Sequence, residues 1–253
     1  PTRPTRPTRP TIATKTNFFT TMLKKSLLFF SFVFFLASCS HVRPEAQQPS
    51  QPPKALYFCD FGEGKWNADE WQLERSPRWE ESSHWVQCAD HIENYVSPDL
   101  CVTDSKKMQG HWGELYVSML LKQPFQGNRK FTLECAFVDS MAPLLVIAPE
   151  LPEVYGEHLE VVVYDKGINL WHHYFKDGKP SWRKLGYLNL NLEKGRKYSL
   201  SAQLQFTSRG VMMVMSCEEN PFGCLLDTDW PKDYYVGFTG CEGLNQFYSF
   251  RAE

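Results

Sequence analysis

Alternation of apolar and polar residues is the strongest pattern along the chain. From Tyr198 to Phe206 every second residue is apolar, and the residues between are Ser or Gln. A period of two places successive side chains on opposite faces of a β-strand. Apolar residues also occupy every second position from Leu115 to Leu121 and from Phe131 to Phe137. Ser208-Arg209-Gly210 turns the first run into an apolar partner, Val211 to Met215, which predicts a hairpin.

Shorter apolar runs separated by turn residues predict further strands after residue 54. We expect these strands at residues 56–61, 84–89, 92–96, 234–239 and 246–251. No window in this region sustains an apolar period of 3.6 residues over three turns, so long helices are not expected. About a dozen short strands predict an all-β domain in which two antiparallel sheets pack as a sandwich or jelly roll.

Residues 22–40 have the layout of a secretory signal, with two lysines, an apolar run and small residues before a cysteine. The apolar run, Leu27 to Leu36, is too short for a membrane-spanning helix, which needs about 20 residues. Its ending, Leu36-Ala37-Ser38-Cys39, resembles the lipobox of bacterial lipoproteins. That resemblance implies cleavage before Cys39 and a diacylglycerol on its sulfur. The alternatives are a plain signal peptide or a lone buried helix.

These signals divide the chain into four predicted segments. Residues 1–21 begin with a basic Pro-Thr-Arg repeat that cannot bury a core, and we expect this leader to be absent from the mature protein. Residues 22–38 are the predicted signal peptide, 39–54 a lipidated cysteine with a Pro/Gln-rich tether, and 55–253 the β-sandwich domain. Ser40 stands where inner-membrane lipoproteins usually have aspartate. This resembles the outer-membrane class and predicts attachment to the bacterial cell envelope, with the membrane as a partner.

Composition narrows the class of ligand. The formal net charge is −2, so the chain lacks the basic surface that nucleic-acid binding requires, and no nucleic-acid partner is expected. Aromatic residues make up 15% of the chain and include eight tryptophans. Together with the strand pattern, these aromatic residues favour stacking on sugars.

Eight cysteines bear on disulfides and metals. Apart from Cys39 there are seven, so at least one has no partner within the chain. Cys217 and Cys224 flank a turn-like stretch and are the first predicted disulfide, and Cys88 with Cys101 is the second. The chain has no CxxC and no Cys/His set at zinc-finger intervals, so no metal or other cofactor is expected from spacing.

Two acidic stretches offer oxygen ligands for a structural calcium ion. They are Asp165 to Asn169 and Asp227-Thr228-Asp229. Turns use the same residue types without any metal, so both interpretations stay open.

Residues 157–175 most strongly suggest a binding site. A two-residue turn at Lys166-Gly167 would place Glu160 opposite His173 and Tyr164 opposite Asn169. One face of this hairpin would be apolar and face the core. The other face would combine a carboxylate, imidazoles, aromatic rings and an amide: His158, Glu160, Tyr164, Asn169, Trp171 and His173. Such a surface suits a sugar, although a solvated outer face on which Trp171 merely covers the sheet would show the same pattern.

Three stretches carry a family resemblance. They are Phe131-Thr132-Leu133-Glu134, the hairpin of residues 157–175, and Tyr235-Val236-Gly237-Phe238-Thr239-Gly240-Cys241-Glu242-Gly243. Over residues 55–253 the chain resembles the concanavalin A-like lectin/glucanase superfamily, and most closely its bacterial laminin G-like and 3-keto-disaccharide hydrolase-like domains. The resemblance implies a ligand on the concave sheet. Lectins, glycosidases and adhesion modules all occur in that superfamily.

The catalytic pattern of the superfamily's retaining glucanases is Glu-x-Asp-x-x-Glu on one strand, and it is absent around Glu160. The neighbours of Glu160 on its own face are His158 and Val162, and neither is an acid. Glu134 on another strand is the candidate second acid, and a Glu160–His173 pair is the alternative for general acid/base chemistry.

We therefore expect an envelope-anchored lipoprotein whose β-sandwich binds carbohydrate on its concave face. A glycoside hydrolase-like enzyme acting on oligosaccharides is the first alternative, and a structural or adhesion lipoprotein without a glycan ligand is the second. The missing acid pair weighs against the enzyme, and the aromatic-rich face weighs against a purely structural role.

Overall fold

Sixteen strands and one short 3-10 helix make up the described part of the chain. The structure is a computed structural model that describes residues 55–74, 84–95, 116–138 and 142–253. The helix is Ala68–Glu70. The strands are β1 Tyr57–Asp60, β2 Trp71–Glu74, β3 Trp85–Gln87, β4 Ile92–Asn94, β5 Tyr116–Leu121, β6 Phe125–Gln126, β7 Arg129–Phe137, β8 Pro143–Ala148, β9 His158–Tyr164, β10 Gly167–Lys176, β11 Lys179–Asn189, β12 Tyr198–Thr207, β13 Gly210–Cys217, β14 Asn220–Leu225, β15 Asp233–Cys241 and β16 Asn245–Ala252.

The N-terminal predictions fall outside this part of the chain. The leader of residues 1–21, the signal peptide, Cys39 and the tether up to residue 54 are all outside the described residues. Within the described ranges, no helix has the length and apolar character needed to cross a membrane.

Two antiparallel sheets form the predicted sandwich, which is confirmed. Sheet A has the strand order β14-β13-β12-β7-β16-β4-β3, with β1 also paired to β16. Sheet B has the order β11-β10-β9-β8-β15-β5-β2, with β6 also paired to β15. Strands that are distant in sequence are neighbours in both sheets, as in a jelly roll.

The space between the sheets is filled by the apolar faces that the alternation predicted. On β7 of sheet A the fully buried residues at every second position are Phe131, Leu133, Cys135 and Phe137. On β9 of sheet B they are Leu159, Val161 and Val163. Burying such side chains contributes about 1.5–3 kcal/mol each, so the inward faces determine which way each strand lies.

Sheet B is also apolar on its outer face. A second cluster of buried side chains lies there: Tyr116, Leu120, Ala142, Leu144, Val146, Ala148, Tyr155 and Val162. Strands β5 and β8 are consequently buried on both faces and lack the solvent-exposed side that half-buried strands have. This outer apolar surface adjoins the predicted binding residues.

The β9–β10 hairpin has a different register from the predicted one. Tyr164 pairs with Gly167, so the turn is Asp165-Lys166 and the predicted turn is wrong by one residue. Gly167 has a φ of 131°, and a Cβ there would overlap the Leu188 carbonyl group, so this position requires glycine. Moving the turn by one residue shifts the pairing by two, and a shift of two keeps every side chain on its predicted face.

The predicted Cys217–Cys224 disulfide is wrong. Both cysteines are free. Cys224 pairs with Met213, four residues from Cys217, and that separation is roughly 13 Å along a strand. A disulfide needs Cα atoms within about 7 Å of one another. Cys88 is free as well, whereas Cys101 lies outside the described residues.

Candidate functional site

His158, Glu160 and His173 meet on the outer face of sheet B and are called the His–Glu–His cluster below. Glu160 Oε1 lies 3.2 Å from Nε2 of His158, and Glu160 Oε2 lies 2.8 Å from Nε2 of His173. All three side chains are buried. The predicted contact between Glu160 and His173 is present, but it joins diagonal neighbours, because the residue directly opposite Glu160 is Trp171.

Strand alternation assembles the cluster. His158 and Glu160 are two residues apart on β9 and therefore share a face. His173 lies directly opposite His158 on β10. The two imidazole rings stack with centroids 4.6 Å apart and planes 10° from parallel, so both Nε2 atoms reach the same carboxylate.

The connection between β8 and β9 covers the cluster. The ring of Tyr155 stacks on that of His158, with centroids 4.4 Å apart. The Tyr155 hydroxyl is held by a hydrogen bond with Ser118, whose hydroxyl also lies 2.6 Å from that of Thr239. The cluster is thus closed to solvent, whereas the sequence predicted an exposed ligand-binding face.

Glu160 is ionised in this setting. Burial alone raises the pKa of a carboxyl group, but the hydrogen bonds and charges of His158 and His173 lower it by more. The pKa of Glu160 therefore lies well below its ordinary value of 4.5. A carboxylate held in this form accepts hydrogen bonds and does not act as the general acid that glycoside hydrolysis needs.

An exposed aromatic surface lies beside the cluster and consists of Trp171, Trp182, Lys184 and Tyr187. We call it the aromatic platform. Lys184 lies opposite Trp171, and Trp182 lies opposite His173. The Lys184 ammonium is 5.0 Å from the ring centre of Trp171 and 5.8 Å from that of Tyr187. Trp182 is 52% exposed and Tyr187 is 57% exposed, which is unusual for such large rings.

Three of the four platform residues were not predicted because β11 breaks the alternation. Trp182 and Lys184 are two residues apart, but Tyr187 follows after three. The β10–β11 register shifts at Leu170/Trp171, and the extra residue of this bulge returns Tyr187 to the same face. The available signal in the sequence was the pair of aromatic residues, Trp182 and Tyr187, close to Arg183-Lys184.

The other two predicted ligand residues lie on the predicted face. Tyr164 ends β9 four residues from Glu160, roughly 13 Å along the strand, and is not part of the cluster. Asn169 pairs with Val162 and is therefore diagonal to Glu160. Asn169 is buried, and its Oδ1 has no hydrogen-bond partner within the described part of the chain.

Glu134 belongs to the opposite side of the sandwich, so its predicted pairing with Glu160 is wrong. Its strand, β7, is in sheet A, and its side chain points away from the core, where it accepts a hydrogen bond of 3.1 Å from Ser249. There it lines a cleft of about 450 Å³ together with Lys197 and Tyr248. Packed sheets are about 10 Å apart, and both carboxylates point outward. Their separation exceeds the 5–9.5 Å or so that retaining and inverting hydrolysis need.

Glu74 is a second buried carboxyl group on the outer face of sheet B, and the sequence did not reveal it. It lies on β2 opposite Ser118 and is 3% exposed. Burial raises the pKa of Glu74, a hydrogen bond from Gln72 lowers it in part, and the charge of Glu153 raises it further, to about 7. Three strands separate β2 from β9, roughly 19 Å, so Glu74 does not supply an acid partner for Glu160.

Two groups of side chains in the described ranges have donor atoms close enough to hold a metal ion. They are His158 with Glu160 and His173, and Cys88 with His91 and Glu93. Neither group includes the aspartates at which calcium was considered. Asp165 lies in an exposed turn, and Asp227 pairs with Arg183. Calcium at those two stretches stays a prediction.

The fold has clear counterparts among solved structures, although no family model and no curated protein matches the sequence. The carbohydrate-binding module CBM66 from Bacillus subtilis superposes with a TM-score of 0.51 at 8% identity, covering 73% of this chain and 95% of that one. The lectin UEA-II complexed with galactose gives 0.50 at 9% identity, covering 78% and 96%. A family 16 endo-glucanase from Bacteroides ovatus gives 0.51 at 10% identity, covering 78% and 100%. The chain therefore has the concanavalin A-like jelly-roll fold that the sequence resemblance implied.

Proposed function

We propose that this protein is a carbohydrate-binding lipoprotein of the bacterial cell envelope, and that its sandwich binds glycan at the aromatic platform. The observation that carries the proposal is the exposure of Trp182 and Tyr187 on one face of β11, with Lys184 beside the rings of Trp171 and Tyr187. Flat aromatic surfaces stack against the CH faces of sugars, and an ammonium group donates to hydroxyl oxygens.

In this proposal the glycan contacts the aromatic platform and not the His–Glu–His cluster. The cluster residues are buried beneath Tyr155, so a glycan would meet Trp171 and its β11 neighbours first. Several solved structures of the same fold carry carbohydrate-binding names, and this agrees with the proposal without identifying the ligand.

The acidic residues on the outer face of sheet B fit glycan binding better than glycan hydrolysis. Glu160 is held as a carboxylate by two histidines, and Glu134 lies on the other sheet. Glu74 has the raised pKa of a general acid, but it is buried far from the platform. Among the residues that the structure describes, a two-carboxylate hydrolase mechanism therefore has no support at this surface.

Anchoring would present the platform to glycans outside the cytoplasm. The lipobox-like ending at Cys39 is the support for lipidation. The Pro/Gln-rich residues 39–54 would span up to about 50 Å when extended, enough to hold the sandwich away from a bilayer.

Variants of the platform test this function. Trp182→Ala and Tyr187→Ala remove exposed rings, and Phe58→Ala removes a ring of sheet A that is 57% exposed and lies far from the platform. Affinity electrophoresis against a panel of soluble polysaccharides should identify a ligand, with titration calorimetry on oligosaccharides giving Kd. Loss of one stacked ring should weaken binding by roughly tenfold, about 1.4 kcal/mol.

The Phe58→Ala control should bind as tightly as the wild type, and the recovered glycan should be unchanged by chromatography. Equal losses in all three variants, or no binding of any polysaccharide by the wild type, would refute the platform. Shortened glycan in the recovered sample would show that the protein hydrolyses the glycan.

A further inference from the structure

The backbone contact of His158 directs its other ring nitrogen at Glu160. Nδ1 of His158 lies 3.0 Å from the carbonyl oxygen of Gly156. A carbonyl oxygen only accepts hydrogen bonds, so Nδ1 donates to it. His158 therefore presents Nε2 to Oε1 of Glu160, 3.2 Å away.

His173 presents its Nε2 to the other oxygen of Glu160 at 2.8 Å, and its ring stacks on that of His158. Two imidazole nitrogens and a carboxylate therefore converge in one buried place. A divalent cation would satisfy both histidines and the carboxylate together.

We propose that the His–Glu–His cluster binds a first-row divalent transition metal, with Zn²⁺ as the best match. The ligands are Nε2 of His158, Nε2 of His173 and a carboxylate oxygen of Glu160. These donor atoms all lie within 4.8 Å of one another. Ligands of a tetrahedral zinc ion are about 3.3 Å apart, so small movements of the side chains complete the site.

Zinc is favoured by the types of ligand atom and by the hydrogen bond that orients His158. Imidazole nitrogens suit zinc and its neighbours, whereas calcium takes oxygen ligands. The hydrogen bond from His158 Nδ1 to a backbone carbonyl is the usual support of a metal-bound histidine. Asn169 is a candidate fourth ligand, because it is diagonal to Glu160 and its buried Oδ1 accepts no hydrogen bond from any described residue.

The sequence predicted no metal site because zinc spacings are recognised within one local motif. Here His158 and Glu160 are two residues apart, and His173 enters from the next strand. Only the pairing of β9 with β10 brings the third ligand to the other two.

Zinc titration of the stripped protein tests the site. The full chain is purified in detergent, treated with a chelator and titrated with ZnCl₂ by calorimetry. We expect one tight zinc per chain and a loss of at least ~100-fold in affinity for Glu160→Gln. His172→Gln is the matched control, since His172 is the next residue, is equally buried and contacts Glu157 instead. The control should bind zinc within about twofold of the wild type.

A second measurement keeps the test decisive if a variant unfolds. X-ray absorption of the zinc-loaded wild type should show nitrogen and oxygen ligands at about 2.0 Å and no sulfur. A sulfur ligand would assign the zinc to the group of Cys88, His91 and Glu93 and would overturn the proposal. Absence of tight zinc binding, or wild-type affinity in a folded Glu160→Gln protein, would also overturn it.

Discussion

Glu74 makes folding stability depend on pH in an unusual direction. Its side chain is 3% exposed, Oε1 accepts a 2.9 Å hydrogen bond from Gln72, and Oε2 has no hydrogen-bond partner among the described residues. Burial is the main reason that its pKa rises from 4.5 to about 7. Between these two pH values the folded protein keeps a proton that the unfolded chain has lost. The free energy of unfolding therefore falls as pH rises through this window.

The size of the change in unfolding free energy follows from the pKa shift of Glu74. A displacement from 4.5 to about 7 corresponds to about 3 kcal/mol, fully present below pH 4.5 and lost above pH 7. Glu74→Gln replaces the carboxyl group with a neutral group of the same shape. The variant should match the wild type near pH 4.5 and exceed it by up to about 3 kcal/mol near pH 8.

Urea unfolding followed by tryptophan fluorescence measures this difference. With a typical m-value, about 3 kcal/mol moves the midpoint by roughly 1–2 M urea. Glu219→Gln, at an exposed glutamate in the β13–β14 turn, is the control for the chemical change itself. If the stability gained by Glu74→Gln is the same at pH 5 and pH 8, the proposed burial of a protonated Glu74 is incorrect.

Two further predictions concern packing and anchoring. Gly237→Ala should destabilise the fold by roughly 3 kcal/mol, because its Cβ would overlap the Met119 carbonyl of β5. The control is Gly223→Ala on β14, where the added Cβ meets only ordinary contacts and should change stability little. Equal thermal midpoints for the two variants would contradict this packing. Cys39→Ser should abolish incorporation of labelled palmitate and release the protein from the membrane fraction, and labelling that persists in the variant would exclude Cys39 as the lipid site.

Local alternation was enough to assign faces. Leu159, Val161 and Val163 face the core as predicted, because a period of two marks the apolar side of a strand whatever its partner is. The same property placed His158 with Glu160 on one face. The predicted turn was wrong, but the error shifted the pairing by an even number of residues and left every face unchanged.

The sequence alone did not predict which distant strands are neighbours in the sheets. Glu134 and Glu160 both looked like outward carboxylates, and only the strand order assigns them to different sheets. The β10–β11 bulge brings Tyr187 onto the face of Lys184 and Trp182. Gln72, which donates a hydrogen bond to Glu74, is itself held by the carbonyl of the distant Leu151. Side-chain direction is a local property of a strand, and the sequence by itself determined it here. Which strands meet, and what covers them, is decided by burial summed over the whole chain, so only the tertiary structure assembled the His–Glu–His cluster beside an exposed aromatic platform.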